Sequence, residues 1–128
     1  MKYLNFDEVI LIHDLIIKET GGLIGFNKNS IGYLESALNQ IKIDDFYPSF
    51  SDKLTHLMFA CIKFHPFNDG NKRSSIFIGM HFLLINNKTI KDFAIKFEDI
   101  VVDVAEDKIS KEELKQLIEK FLEIKNDK

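Results

Sequence analysis

The chain has a single cysteine, Cys61, and only two prolines, Pro48 and Pro66. One cysteine excludes any internal disulfide, so a reducing cytoplasm is the expected compartment. Two prolines leave room for long helices. No apolar run is long enough to cross a bilayer, the longest being Ile76 to Ile85. Asp7 and Glu8 precede the first apolar stretch and no small-residue cleavage site follows, so a signal peptide is not expected. Positive charge is not in excess either. A net charge of −3 argues against a nucleic-acid binder with a broad basic face. There is no internal repeat, no low-complexity tract and no linker rich in Pro, Gly or Ser.

What is present is a soluble-type balance over 128 residues, with 45% hydrophobic and 29% charged side chains. That size fits one domain, residues 1–128, with one core. Asn5 with Glu8 forms a capping box for a first helix, in which Val9, Ile12, His13, Ile16 and Ile17 recur at helical spacing. Gly21-Gly22 end it and open a glycine-rich loop to Asn29. A second helix is predicted over about Ser30 to Ile41. Residues 42–50 alternate weakly and read as extended or loop-like. Ser51 is the expected cap of a third helix that ends near Phe64. A fourth covers roughly Lys72 to Asn86 and is apolar all round in its middle, as a central buried helix would be. A fifth is expected within Phe97 to Asp107. Ser110 with Glu113 starts a sixth that runs to about Lys125. The fold class is therefore all-α, with at most a short extended piece near residues 42–50 or 88–93.

Between the third and fourth helices lies His65-Pro66-Phe67-Asn68-Asp69-Gly70-Asn71-Lys72-Arg73. A residue before proline avoids the helical region, so Pro66 should end the third helix and swing His65 out of register. Asn68-Asp69-Gly70 is turn chemistry, and Asn71 then begins a long helix. A tight turn feeding a helix N-terminus presents unpaired N–H groups to an anion. Lys72 and Arg73 in a first turn oppose the helix dipole, at a few tenths to about 1 kcal/mol each. That arrangement makes sense when an anion sits there. Asn68, Gly70, Asn71, Lys72 and Arg73 are the candidate phosphate ligands, with Arg73 supplying a bidentate fork. Ser74 and Ser75 are further candidates for a phosphate or for a cap. Asp69 should stay ionised among these cations and is the candidate Mg²⁺ ligand. His65 has a side chain suited to general-base work near neutrality. The plain alternative is a structural turn followed by a solvated helix start. It accounts for each residue singly, but not for two cations at a helix N-terminus.

These nine residues resemble the motif of the Fic/Doc family, His-Pro-Phe-x-Asp/Glu-Gly-Asn-Gly/Lys-Arg, with every position filled. Lys72, where most Fic proteins carry glycine, resembles the Doc (death-on-curing) branch of toxins. The His13-Asp14 pair, the Gly21 to Gly25 loop and Ala37-Leu38 extend the likeness over nearly the whole chain. The resemblance implies a compact helical bundle of about six helices, with the central helix following the motif. It implies Mg²⁺-dependent transfer of part of a nucleoside triphosphate such as ATP to a protein hydroxyl. Fic proteins typically transfer AMP. Doc-like toxins are associated with γ-phosphate transfer to a translation factor, with the nucleotide reversed. By position, His65 would be the base, Asp69 the metal ligand, and Gly70 to Arg73 the phosphate cradle. Lys72 tilts the reading to phosphoryl transfer. Adenylyl transfer and a catalytically silent binding protein are the alternatives.

Many Fic proteins carry an inhibitory Ser/Thr-x-x-x-Glu segment, and this sequence has none. The expected inhibitor is therefore a small antitoxin acting in trans, with no direct nucleic-acid or membrane partner. The remaining candidates read as structural. His13 lies on the stripe of the first helix and His81 inside an apolar helix. His56 is expected to face solvent, and Cys61 to be a small core residue rather than a nucleophile. No pair among these has zinc-site spacing. Phe46, Tyr47 and Phe50 suit equally a flap for strand addition and simple packing. The final helix reads as a solvated amphipathic face.

Overall fold

A computed structural model describes residues 1–126 and is all-helical. Among the described residues there are six helices and no strand. They are α1 (Phe6–Thr20), α2 (Ile31–Gln40), α3 (Phe50–Lys63), α4 (Asn71–Ile85), α5 (Phe93–Ala105) and α6 (Lys111–Asn126). Helices α3 and α4 form the central pair. Helix α4 packs against α1, α3 and α5, while α2 and α6 pack against α3. Leu54, Leu57, Met58 and Ile62 of α3 meet Ile78, Phe82 and Leu83 of α4 in one buried core. Each such side chain contributes about 1.5–3 kcal/mol on leaving water. The motif joins these two best-packed helices, so it is anchored at both ends.

Helix starts follow local capping. Asn5 and Glu8 form the expected reciprocal box on α1, and Ser110 and Glu113 do the same for α6. The α3 cap differs from the expectation. Ser49, not Ser51, accepts from the Asp52 N–H while Asp52 accepts from the Ser49 N–H. Asp52 stands three residues after Ser49, whereas Leu54 stands three after Ser51 and has nothing to return. Ser51 is buried, with its hydroxyl between Ser49 and Glu119.

Helix α5 begins at Phe93, four residues before the earliest expected start. Phe93 is buried, stacked on Phe97 and edge-on to Phe121. That packing across to α6 extends the helix beyond what local pattern shows. Residues 42–49 form turns, not an extended segment. Tyr47 packs on His56 and Phe50 stacks on Phe82, so two of the three aromatics pack the connection down, and only Phe46 stands out at 74% exposure. Helix α4 is central but not buried all round, because Phe77, His81 and Leu84 make an exposed stripe.

Lys53 is 2% exposed and crosses the core to the end of α2. Its Nζ donates to the Ile41 carbonyl at 2.6 Å and to Asp44 at 2.7 Å. It satisfies a helix C-terminus that has no basic residue of its own.

Candidate active site

The turn from α3 into α4 leaves helical register at His65, as expected before Pro66, but not into the extended region that a proline favours. Phe64 caps α3, and His65 takes a left-handed φ of 48° immediately before Pro66. A histidine rarely adopts that conformation, and strain of this kind concentrates at functional sites. The His65 ring is exposed and makes no hydrogen bond or ion pair among the described residues. Gly70 supplies the second left-handed residue, φ 71°, as the N-cap of α4. No side chain caps this helix and no acidic residue occupies its first turn. Its leading N–H groups therefore point into open space with Lys72 and Arg73 beside them.

All seven candidate residues meet in one cleft. His65, Asn68, Asp69, Gly70, Asn71, Lys72 and Arg73 line a depression of about 240 Å³. Their side chains are not equally free. Asn71 accepts from the Phe67 N–H at 2.9 Å and donates to the Phe67 carbonyl at 3.0 Å, so its side-chain amide closes the motif loop. Asn68 donates to the Ile24 carbonyl at 3.1 Å. Arg73 reaches to the end of α1, donating to the Thr20 hydroxyl and to the Gly21 carbonyl, with Asp69 Oδ1 3.8 Å away. The Lys72 side chain is exposed and has no hydrogen-bond or ion-pair partner among the described residues. Ser74 and Ser75 are fully buried, so neither faces a phosphate. Ser75 donates to the Lys72 carbonyl at 2.6 Å.

Asp69 is held by backbone donors. The Leu23 N–H reaches Oδ2 at 3.1 Å and the Gly70 N–H reaches Oδ1 at 2.8 Å. The Leu23 and Gly70 N–H groups, with the Arg73 guanidinium, keep its carboxyl below the usual carboxylate range. Mg²⁺ bound through substrate phosphates needs only one or two carboxylates from protein. An ionised Asp69 lining a phosphate-sized cleft fits that requirement.

The glycine-rich loop covers this turn, a placement the sequence did not reveal. Phe26 and Phe67 form an antiparallel bridge, with Asn27 N–H on the Pro66 carbonyl at 2.8 Å and Asn68 N–H on the Gly25 carbonyl at 3.1 Å. The local extended pairing therefore lies here, not at residues 42–50. Leu23, Ile24 and Phe26 are exposed at its edge.

The other candidates lie elsewhere. Cys61 is buried and its thiol is pushed up to about 12 by burial, which disqualifies it as a nucleophile. His56 does not face solvent freely. It is half-buried, with Nε2 on Gln40 at 2.7 Å and Nδ1 on Lys111 Nζ at 2.8 Å. Burial and Lys111 lower its pKa to about 4. His81 lies on the exposed stripe of α4 and bonds the Phe77 carbonyl at 2.8 Å. His13 is buried and touches the motif itself.

The chain is similar to known proteins. A model of the Fic/DOC family matches residues 3–83, which span α1 to most of α4 and include the whole motif. The chain is also 29% identical over 114 residues to a protein of Escherichia phage P1 named "Protein kinase doc". That alignment covers 86% of this chain and 87% of the phage protein.

Proposed function

The chain belongs to the Fic/DOC family, and from that premise we propose that it is a Doc-like toxin transferring the γ-phosphate of a nucleoside triphosphate to a hydroxyl of a target protein. The observation that carries this reading is the cleft itself. Seven chemistry-bearing residues converge at an open helix N-terminus, where His65 projects without a partner and Lys72 without a counter-ion.

The triphosphate lies along the start of α4, where backbone N–H groups and the helix dipole hold its charge. Arg73 exchanges its bonds to Thr20 and Gly21 for phosphate oxygens, and Lys72 adds a mobile cation. Asp69 would hold Mg²⁺, which supplies charge neutralisation on the phosphate oxygens when bound. His65 accepts the proton of the attacking hydroxyl. That oxygen forms a bond to the γ-phosphorus while the bond to the β–γ bridging oxygen breaks and the nucleoside diphosphate leaves. The proton on His65 then passes to solvent.

Lys72 favours this reading over AMP transfer, because its side chain adds bulk and charge where glycine would leave room. The kinase name of the phage relative supports the same choice. A translation factor is the proposed target, and growth inhibition the outcome. Restraint would come in trans from a small antitoxin, with the cytoplasm as the setting. The test is mass spectrometry of proteins from cells expressing the toxin or its His65→Ala variant. A phosphate on a hydroxyl side chain, absent with the variant, supports the proposal. An AMP adduct at that position would replace it with adenylyl transfer.

A further inference from the structure

The most buried histidine in the chain is also the one that grips the motif. His13 is 1% exposed and stands in the middle of α1. Its Nε2 lies 2.7 Å from the backbone carbonyl of Asp69. A carbonyl only accepts, so Nε2 carries the proton and donates it. The ring lies flat on Phe67, with centroids 3.8 Å apart and planes 5° from parallel. One turn later on the same face, the Ile17 methyl packs so closely under Gly70 that a Cβ there would stand 3.0 Å from it. Two residues of α1 thus touch Phe67, Asp69 and Gly70, the part of the motif that sets where the carboxylate points.

The consequence falls on Asp69. Its carboxylate oxygens are bound by the Leu23 and Gly70 N–H groups, and its peptide carbonyl by His13. Without the third contact, no side chain fixes the carbonyl end of the peptide between Asp69 and Gly70, and its only remaining hydrogen bond is the local one from the Gly70 N–H to Asp69 Oδ1. That peptide carries both the Gly70 N–H and the left-handed turn into α4. We propose that His13 is a positioning residue for Asp69. It donates Nε2–H to the Asp69 carbonyl and stacks on Phe67, and so fixes the carboxylate toward the phosphate cleft. The proposal rests on the reading of Asp69 as the metal ligand. Partners that orient a ligand in this way typically account for about 10- to 100-fold in metal affinity.

Side-chain chemistry supplies the test. Gln presents its amide nitrogen roughly where histidine presents Nε2, whereas Asn presents it near Nδ1. Calorimetry of Mn²⁺ with a non-hydrolysable ATP analogue should therefore show His13→Asn weakened about tenfold and His13→Gln close to the parent. Amide hydrogen exchange at Leu23, measured with no metal present, should accelerate in His13→Asn and not in His13→Gln. Equal behaviour of the two variants in both measurements overturns the proposal. The parent protein gives a check that no folding defect can obscure: a nitrogen spectrum in which His13 Nε2 lacks its proton also overturns it. Asp69→Asn separates the two ideas. If it leaves Mn²⁺ affinity unchanged, the metal-ligand reading of Asp69 fails, while Leu23 exchange still decides the role of His13.

Discussion

Gly22 stands so close to Asp69 that a Cβ at position 22 would lie 2.5 Å from the Asp69 Oδ2 atom. Its φ of 124° also belongs to a region that side chains rarely adopt. The next residue, Leu23, donates its N–H to that same oxygen. The glycine loop is therefore pressed against the candidate metal ligand, and only glycine allows the approach.

Gly22→Ala should consequently damage the site out of proportion to its size. The backbone strain alone costs about 1–3 kcal/mol, and relief requires the loop to lift from Asp69. The expected result is a lower Tm together with faster amide exchange at Leu23. Unchanged Leu23 exchange in a folded Gly22→Ala protein would show that the loop does not bear on the carboxylate.

His65→Ala should leave the fold intact, because the ring is exposed and holds nothing else in place. Transfer should fall by roughly 10²–10⁴-fold, the usual contribution of a general base. The measurement is the transfer rate beside the circular dichroism spectrum. Parental activity with an unchanged spectrum would contradict the base assignment.

How far this site could be read from sequence depended on distance along the chain. The motif was legible because its chemistry lies in nine consecutive residues, and a proline and a glycine punctuate the turn. Helices α1 and α2 are legible from apolar spacing, α4 from its continuous apolar middle, and α6 from its capping box. What is not legible locally comes from residues far apart. Nothing local says that His13 reaches Asp69, that Thr20 holds Arg73, or that Gly22 abuts a carboxylate 47 positions on. The Phe26–Phe67 pair is likewise non-local, so local pattern points instead to residues 42–50 or 88–93, and neither forms extended pairing among the described residues. His56 reads as solvent-facing in sequence because its partners are supplied by α2 and α6.

Those partners give His56 a pH signature. Its Nδ1 accepts from Lys111, so the ring is neutral in the folded protein, and its pKa is lowered to about 4. Unfolding restores an ordinary value near 6.5. The unfolded chain then binds more protons between those values, so stability is full above about pH 6.5 and falls as pH drops toward 4. Solvent screening of a half-exposed ring reduces the loss to about 1–2 kcal/mol. His56→Gln should flatten the Tm profile over this window. A profile as steep as the parent's would assign the loss to other groups.

The central claim is that this cleft moves a terminal phosphate to protein. The most direct measurement incubates the purified chain with bacterial lysate, Mg²⁺ and ATP labelled at either the α- or the γ-phosphate, with His65→Ala as control. Protein-bound label is expected from the γ position alone, lost with the variant. Label arriving from the α position would contradict it and make the chain an adenylyltransferase in which Lys72 does not select the transferred group.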